Sequence, residues 1–457
     1  MALRVAIVGG GISGLASGYF LKAQAPEVAL TILEQAPVVG GKVQTTQQDG
    51  FVFDWGPNGF LTNAPETLAL AKALGLGAAL LPASDAAKRR YLFKEGALRR
   101  LPSTPLELLT SELLSPAGKL RAAAELLLGR RHSAEESVEA FVRRHFGAEV
   151  ARTFADVAVS GITAGDAAAL SVDALFPRLR GLESQYGSLL KGLIAARRSS
   201  ASGRLTSFKA GGMARLIAAL AAQLAPAIRT GVAVTGLTPA ASGYQLRLST
   251  GDTLAADYVI LATPAFVSSA LLEPMLPEAA RLLAEIPYAD VGVWGLGYHR
   301  MQVPQLLDGF GFLVPRGEGV SALGVLWSSA IFADQAPQNH VMLRVIAGGV
   351  RAPDFMQLPP EAQLASIRRD LRLTMGITAE PCFMQVAHWP RGIPQYTLGH
   401  PARLARLMAL LPPQLLLTGN AYYGVGVNDC VRDAERVARS LLSTASLSSN
   451  TWRHSPS

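Results

Sequence analysis

The hydrophobic pattern opens with a short unbroken apolar run at 4–8, then Gly9-Gly10-Gly11-Ile12-Ser13-Gly14, a helix-forming stretch at 15–24, and a second apolar run at 29–33 ending on Glu34. Short continuous runs bounded by glycines predict strands buried on both faces, as in a parallel sheet. From about 88 to 204 the pattern changes, and apolar positions recur at helical spacing, notably over 138–145 and 148–159. The stretch 197–203, rich in Arg, Ser and Gly, reads as a loop. Beyond Gly211-Gly212 the pattern predicts a helix at 214–224 and strands at 231–234, 244–249 and 258–262. A strand-rich region follows, with runs at 291–298, 319–327, 341–347 and 382–389. The last segment is an apolar strand at 415–417, a glycine-rich turn at 421–426, a helix through 438 and a Ser-rich tail. No internal repeat is visible.

The 457 residues exceed what one hydrophobic core organises, so the chain should divide. Nucleotide-type signals stand at the beginning, middle and end, and the material between them differs in character. This predicts a discontinuous α/β nucleotide-binding domain from residues 1–84, 205–265 and 408–444. A helical domain, 88–204, would be inserted into it, with a β-rich substrate-binding domain at 266–407 and a disordered tail at 445–457.

The opening unit carries its own chemistry. Gly9 permits a tight turn, Gly11 leaves a pyrophosphate room to approach, and Gly14 lets the helix lie close to the strand. The helix N-terminus offers unpaired N–H groups and a partial positive charge, shared by Gly10, Ile12 and Ser13. Glu34, twenty residues after Gly14, can accept hydrogen bonds from a ribose, with Gln35 beside it. A glycine-rich turn alone matches this pattern by chance, but strand, helix and acid all sit at the expected spacing. A dinucleotide is the expected ligand.

Composition narrows the class. The chain is 49% hydrophobic and only 17% charged, with positive mean hydropathy. That suits a large enzyme with extensive buried surface, or one that touches a membrane. No apolar run reaches the roughly eighteen residues that a spanning helix needs, and no secretory signal precedes the first strand. Two cysteines, Cys382 and Cys430, and seven scattered histidines form no metal-binding pattern, so no metal is expected and a reducing cytoplasm is the simplest setting. Residues 88–204 hold 19 Lys or Arg against 12 Asp or Glu, nearly all of the net +8. Basic helices with apolar faces suit an anionic membrane surface; an ordinary solvated helical domain with arginine-rich outer faces is the plainer reading. Nucleic acid is not expected, because aromatic residues are not interleaved with the basic ones.

The continuation Gly40-Gly41-Lys42-Val43-Gln44-Thr45 resembles the extended fingerprint of flavoproteins related to amine oxidases, which favours FAD over NAD. The resemblance then sharpens through Asp54-Trp55-Gly56-Pro57-Asn58-Gly59-Phe60, 86–91 with Arg90, 161–166, and 309–315. Its most distinctive pieces are Ile393-Pro394-Gln395-Tyr396-Thr397-Leu398-Gly399-His400 and Val427-Asn428-Asp429-Cys430. In this order the chain, from Gly9 to about Ala438, resembles the oxygen-dependent, FAD-containing protoporphyrinogen oxidases.

The resemblance implies a Rossmann-type FAD-binding domain, a β-rich substrate domain and a helical domain that docks on a membrane. It implies oxidation of protoporphyrinogen IX by three two-electron steps with dioxygen as acceptor, and a protein peripheral on the cytoplasmic face of the cell membrane, with a homodimer as one option. For the substrate it implies that Arg90 pairs with a propionate, Phe310 and Leu313 sandwich a pyrrole, Gly161 gives room and a carbonyl, and Ile346 forms an apolar wall. Lys88 or Arg89 could replace Arg90, and core packing is an equally good account of Phe310 and Leu313 from sequence. For FAD it implies Gly41, Lys42, the cover formed by Gly56, Pro57, Asn58 and Gly59, the backbone of Val234, Trp389, and the turn with Val425, Gly426 and Val427. No protein acid or base is implicated in the chemistry; the flavin carries it.

Three other readings remain open at this stage. A coproporphyrinogen III oxidase of the same fold would have four carboxylate arms to hold. An amine oxidase normally places an aromatic residue in the C-terminal turn, where this chain has Val425, although Tyr422 and Tyr423 are near. A non-catalytic flavoprotein scaffold is the fourth reading.

Overall fold

The computed structural model describes residues 2–104, 107, 110–128, 134–199 and 203–451. Strand β1 (Arg4–Val8) runs through the glycine turn into helix α1 (Ile12–Gln24) and returns as β2 (Ala29–Glu34). These join a five-stranded parallel sheet in the order Ile228–Thr230, β2, β1, Tyr258–Leu261, Leu415–Leu417. The sheet is covered on both faces, which is why β1 past Arg4 and all of Tyr258–Leu261 are buried and read as unbroken apolar runs. One face carries α1, Ala214–Leu224 and the final helix in a single core built from Leu15, Leu216, Leu220, Val431 and Ala434. The other packs under the antiparallel strands Val234–Pro239, Tyr244–Leu248 and Thr253–Ala256 and the helices Ala265–Leu272, Pro277–Ala284 and His400–Leu410.

A second, seven-stranded sheet forms the other half. Its order is Phe383–Pro394, Tyr288–His299, His340–Gly348, Ala322–Leu326, Gly311–Leu313, Tyr91–Lys94, Ala97–Arg100. All neighbours are antiparallel except Gly311–Leu313 with Tyr91–Lys94. The long strand Phe383–Pro394 lies at the sheet edge and carries Trp389.

The helical segment leaves and re-enters the chain at one place. Strand Leu205–Phe208 lies between Phe60–Leu61 and Leu80–Pro82, and the Ala83 N–H donates to the Leu205 carbonyl. Its helices enclose their own small core around Phe141, Val159 and Leu170.

The observed elements depart from the expected ones in four places. The expected helical stretch opens instead with the Tyr91–Lys94/Ala97–Arg100 hairpin, turned by Glu95 and Gly96 in left-handed conformations. The expected helix at 148–159 is not continuous. It contains a π-helical turn at Ala151–Ala155 between Ala148–Val150 and Asp156–Thr163. The expected strand at 231–234 is two strands, Ile228–Thr230 and Val234–Pro239, split by a turn at Gly231. The final helix continues to Thr451, past the expected start of the disordered tail, because extending an existing helix costs little even through Ser-rich sequence. Residues 452–457 lie outside the described residues, as does the 200–202 part of the expected loop.

Candidate active site

The crevice at the C-terminal ends of β1 and β2 is built from backbone. Gly9 has φ +108°, and a Cβ there would lie 2.9 Å from the Ala262 carbonyl oxygen. A Cβ on Gly14 would lie 1.9 Å from the Gly9 carbonyl oxygen, so Gly14 holds α1 against the turn. Gly11 is different: a side chain there would meet nothing within 4 Å, and one on Gly41 would touch only Gly11 itself. Gly419 in the last glycine turn is equally open. Helix α1 begins at Gly11 with no side-chain cap, so the N–H groups of its first turn, Ile12, Ser13 and Gly14, point into this space.

Glu34 is fixed from both sides. Its Oε2 accepts the Gly10 N–H at 2.7 Å and its Oε1 accepts the Ala36 N–H at 2.8 Å. Val232 donates its N–H to the Glu34 carbonyl, which brings Val234 alongside the same strand end, while Gln35 is exposed beyond it.

The cover loop packs tightly on the fingerprint. A Cβ on Gly56 would lie 2.1 Å from the Lys42 carbonyl oxygen, and one on Gly59 would lie 2.8 Å from that of Thr206. These two glycines are therefore demanded by the protein itself. Arg344, buried, donates Nη2 to the Gly56 carbonyl, and burial lowers its pKa to about 10 against the pull of Asp54. Asp54, 2% exposed, accepts from the Thr45 hydroxyl at 2.6 Å and the Met213 N–H at 3.0 Å; its pKa is raised by burial. Nothing in the sequence pattern marked Arg344, which lies nearly three hundred residues from the loop it holds.

Lys42 donates Nζ to the Gly392 carbonyl, near the Tyr288 ring at 6.0 Å, and has no carboxylate partner among the described residues. Burial lowers its pKa to about 8. Trp389 donates Nε1 to the Trp55 carbonyl at 3.0 Å, fixing its ring beside the cover. Val425 and Gly426 open the last helix at Val427, and the Gly426 N–H is taken by the Asp429 carboxylate at 3.2 Å. The Gly426 N–H is thus satisfied within the protein.

The predicted substrate residues converge from four distant segments. The Arg90 guanidinium lies over the Phe310 ring, 4.9 Å from its centroid. Phe310 is braced there because its N–H donates to the Arg89 carbonyl at 2.8 Å. A Cβ on Gly161 would stand 2.9 Å from Leu313 Cδ1, so this glycine sets how closely the helix approaches that side chain. Gly161 lies in the last turn of Asp156–Thr163, where carbonyls have run out of helical donors. Ile346 packs with Leu323, Trp389 and Ile393 in the cluster behind them.

The three neighbouring cations are no longer equivalent. Lys88 pairs with Asp85 at 2.9 Å, and Arg89 with Asp308 at 3.3 Å. Arg90 has no carboxylate partner among the described residues. It is exposed, and the protein atoms around its head, the Phe310 ring among them, lower its pKa by desolvation. The two tyrosines of the last turn are also accounted for: Tyr422 is 2% exposed, and Tyr423 carries the Arg436 guanidinium over its ring at 5.0 Å.

The fold and crevice define an FAD-dependent oxidoreductase. The open space at Gly11, Gly41 and Gly419, the uncapped α1, and the buried unpartnered Asn58 amide and Asn428 carbonyl oxygen all fit FAD. The pattern of the flavin containing amine oxidoreductases matches residues 12–442, and the chain belongs to that family. It is 32% identical to the chloroplastic protoporphyrinogen oxidase of Nicotiana tabacum, over 95% of this chain and 85% of that one. It is 29% identical to the coproporphyrinogen III oxidase of Bacillus subtilis (strain 168), over 94% of this chain and 95% of the relative. A crystal structure from Exiguobacterium sp. 255-15, provisionally assigned as a protoporphyrinogen oxidase, superposes with a TM-score of 0.85 at 27% identity, covering 96% of this chain and 99% of that one.

Proposed function

We propose that this enzyme oxidises protoporphyrinogen IX to protoporphyrin IX in haem biosynthesis, with dioxygen as the final acceptor. One observation carries the reading: an unmatched guanidinium, an aromatic ring, a leucine and a glycine are brought together from three separate segments of chain. A cation without a counter-ion suits a propionate, because the guanidinium fork matches a carboxylate. Phe310 and Leu313 present flat and branched apolar surface to a pyrrole, and Gly161 lets its helix come close against Leu313 with its carbonyl near the helix end.

Bound FAD supplies hydride acceptance and reoxidation by dioxygen, three such rounds converting one porphyrinogen with three equivalents of hydrogen peroxide. The first turn of α1 binds the pyrophosphate, Glu34 the ribose, and the Gly56 cover excludes water from the ring. Arg90 orients the macrocycle by one edge, and Trp389 and Ile346 close the apolar side. Catalysis then rests on placement and a dry site rather than on a protein nucleophile.

Coproporphyrinogen III is the second reading, supported by the Bacillus relative. Against it, the cations flanking the Gly161 helix are already matched: Arg316 with Asp156 and Asp166, and Arg351 with Asp156. The recess thus offers less free positive charge than four carboxylates would use.

The same reading includes peripheral contact with an anionic membrane at its cytoplasmic face. Leu120 and Leu127 are 74% and 89% exposed, and Ile194 is exposed too, all on the basic helical segment. No described helix is long and apolar enough to cross a membrane.

Anaerobic mixing of the yellow holoprotein with each porphyrinogen, following flavin bleaching and porphyrin fluorescence, tests the proposal. Fast bleaching with protoporphyrinogen IX and slow bleaching with coproporphyrinogen III is expected. The reverse preference selects the second reading, and bleaching with neither removes both.

A further inference from the structure

The turn at 395–400 touches both halves of the site, and one side chain in it has every polar capacity committed. Tyr396 is 1% exposed. Its hydroxyl donates to the Asn420 carbonyl at 2.7 Å and accepts the Gly424 N–H at 2.9 Å. Both partners lie in the glycine turn that precedes the last helix. That turn has φ +135° at Gly419 and +138° at Gly424, conformations that glycine samples freely and that therefore need an external tie to stay fixed. Beneath the hydroxyl, the Tyr396 ring stacks on His400 at 4.2 Å and 13°, and His400 Nε2 lies 3.3 Å from the Tyr422 carbonyl.

The same few residues hold the substrate side. The Tyr396 carbonyl accepts the Ser171 N–H at 2.8 Å, and the Leu398 N–H donates to the Ala169 carbonyl. Gln395, 3% exposed, donates Nε2 to the Thr163 carbonyl at 2.9 Å, at the end of the helix bearing Gly161. The flavin turn and the substrate helix are thus tied to adjacent residues of one short turn.

We infer that Tyr396 is a positioning residue for the flavin: its hydroxyl fixes the glycine turn at 419–424 beside the open space at Gly419, and the neighbouring Gln395 ties the same short segment to the end of the substrate helix. The inference rests on the placement of FAD proposed above, but not on the identity of the substrate. An N–H held in place stabilises negative charge on a reduced ring without reorganising, so a loosened turn stabilises the reduced form less.

The test is Tyr396→Phe in the FAD-loaded protein, which keeps the ring, its volume and its stack on His400. The expected result is a lower flavin midpoint potential and an altered visible circular dichroism, with kcat reduced about tenfold and KM little changed. The potential and dichroism are read without any porphyrinogen, so failure of the substrate assignment leaves this result standing. A midpoint potential and dichroism identical to the wild type overturn the inference, whatever the activity. Should Tyr396→Phe not accumulate as holoprotein, His400→Leu removes the ring beneath the hydroxyl. A smaller fall in potential then supports the inference, and an unchanged potential overturns it.

Discussion

The nucleotide crevice and the substrate recess solve opposite problems. In the crevice the chemistry is in the backbone: glycines with open space beside them, a helix start without a cap, and one acid held by two N–H groups. Most of it comes from a single unit of about thirty residues. In the recess the chemistry is in side chains, and Arg90, Gly161, Phe310 and Ile346 meet only because a seven-stranded sheet and an inserted helix are brought together. Backbone sites announce themselves by spacing, whereas side-chain sites exist only after folding.

The largest expected effect separates two glycines of one motif. Gly14→Ala forces a methyl group into the Gly9 carbonyl and should leave little folded protein, as judged by expression and far-UV circular dichroism. Gly11→Val adds more bulk, yet into open space. It should leave the apoprotein melting temperature near that of the wild type while FAD no longer co-purifies. If both variants lose only FAD, the crevice does not depend on its backbone packing in the way described.

Next in size is Arg90→Ala. Losing a charge-assisted hydrogen bond of about 1.5–3 kcal/mol should lower kcat/KM for porphyrinogen roughly 10–100-fold, with FAD content unchanged. The neighbouring Arg89→Ala should cost much less in kcat/KM, since Arg89 is already paired with Asp308. Equal losses would erase the distinction the recess draws between them.

A smaller effect is expected at the junction of the two regions. Lys42 has its pKa lowered to about 8, so it is charged below that pH and neutral above it. Rebinding of FAD by the apoprotein should therefore weaken severalfold as pH rises through about 8, because a cation facing an anionic cofactor is lost. For stability the sign is opposite. Below its folded pKa the buried charge is a cost, and this cost is relieved as pH rises from about 8 towards the unfolded value, so the apoprotein gains stability there. Lys42→Arg should flatten both slopes, and titrations of FAD affinity and melting temperature would show it.

The smallest effect on catalysis belongs to the helical segment. Replacing Leu120 and Leu127 with serine should reduce binding to anionic vesicles several-fold and leave kcat in detergent unchanged. Sedimentation with vesicles of defined anionic content reads the difference.

Much of the crevice was legible because its requirements are local. The run 4–8, the glycines and Glu34 fall within one strand–turn–helix–strand unit, and each was placed correctly by spacing. The Tyr91–Lys94/Ala97–Arg100 hairpin was not legible, since basic residues on an outer strand look like those on an outer helix, and only the neighbouring Gly311–Leu313 makes it part of a sheet. Arg90 could not be separated from Lys88 and Arg89 until Asp85 and Asp308 were seen to occupy the other two. Arg344 was invisible because its partner is a backbone carbonyl far away in sequence, and Tyr396, although part of a distinctive motif, showed no role because its two bonds reach a turn twenty-odd residues later. The helical segment hides a similar case. Glu125, 2% exposed, accepts the N–H groups of Leu189 and Leu190 and so caps a helix more than sixty residues on.

The order of strands in the parallel sheet has a consequence for how the enzyme matures. The fingerprint leaves the ribosome first, but the strand beside it, Tyr258–Leu261, and that strand's outer neighbour, Leu415–Leu417, come much later, and the helix that covers α1 comes last of all. Pairings this remote are slow to form and expose apolar strand edges while they wait. The crevice is complete only once Leu415–Leu417 and the final helix are in place, so a nascent polypeptide ending before Leu415 would display the whole dinucleotide motif with part of its sheet and helical cover missing.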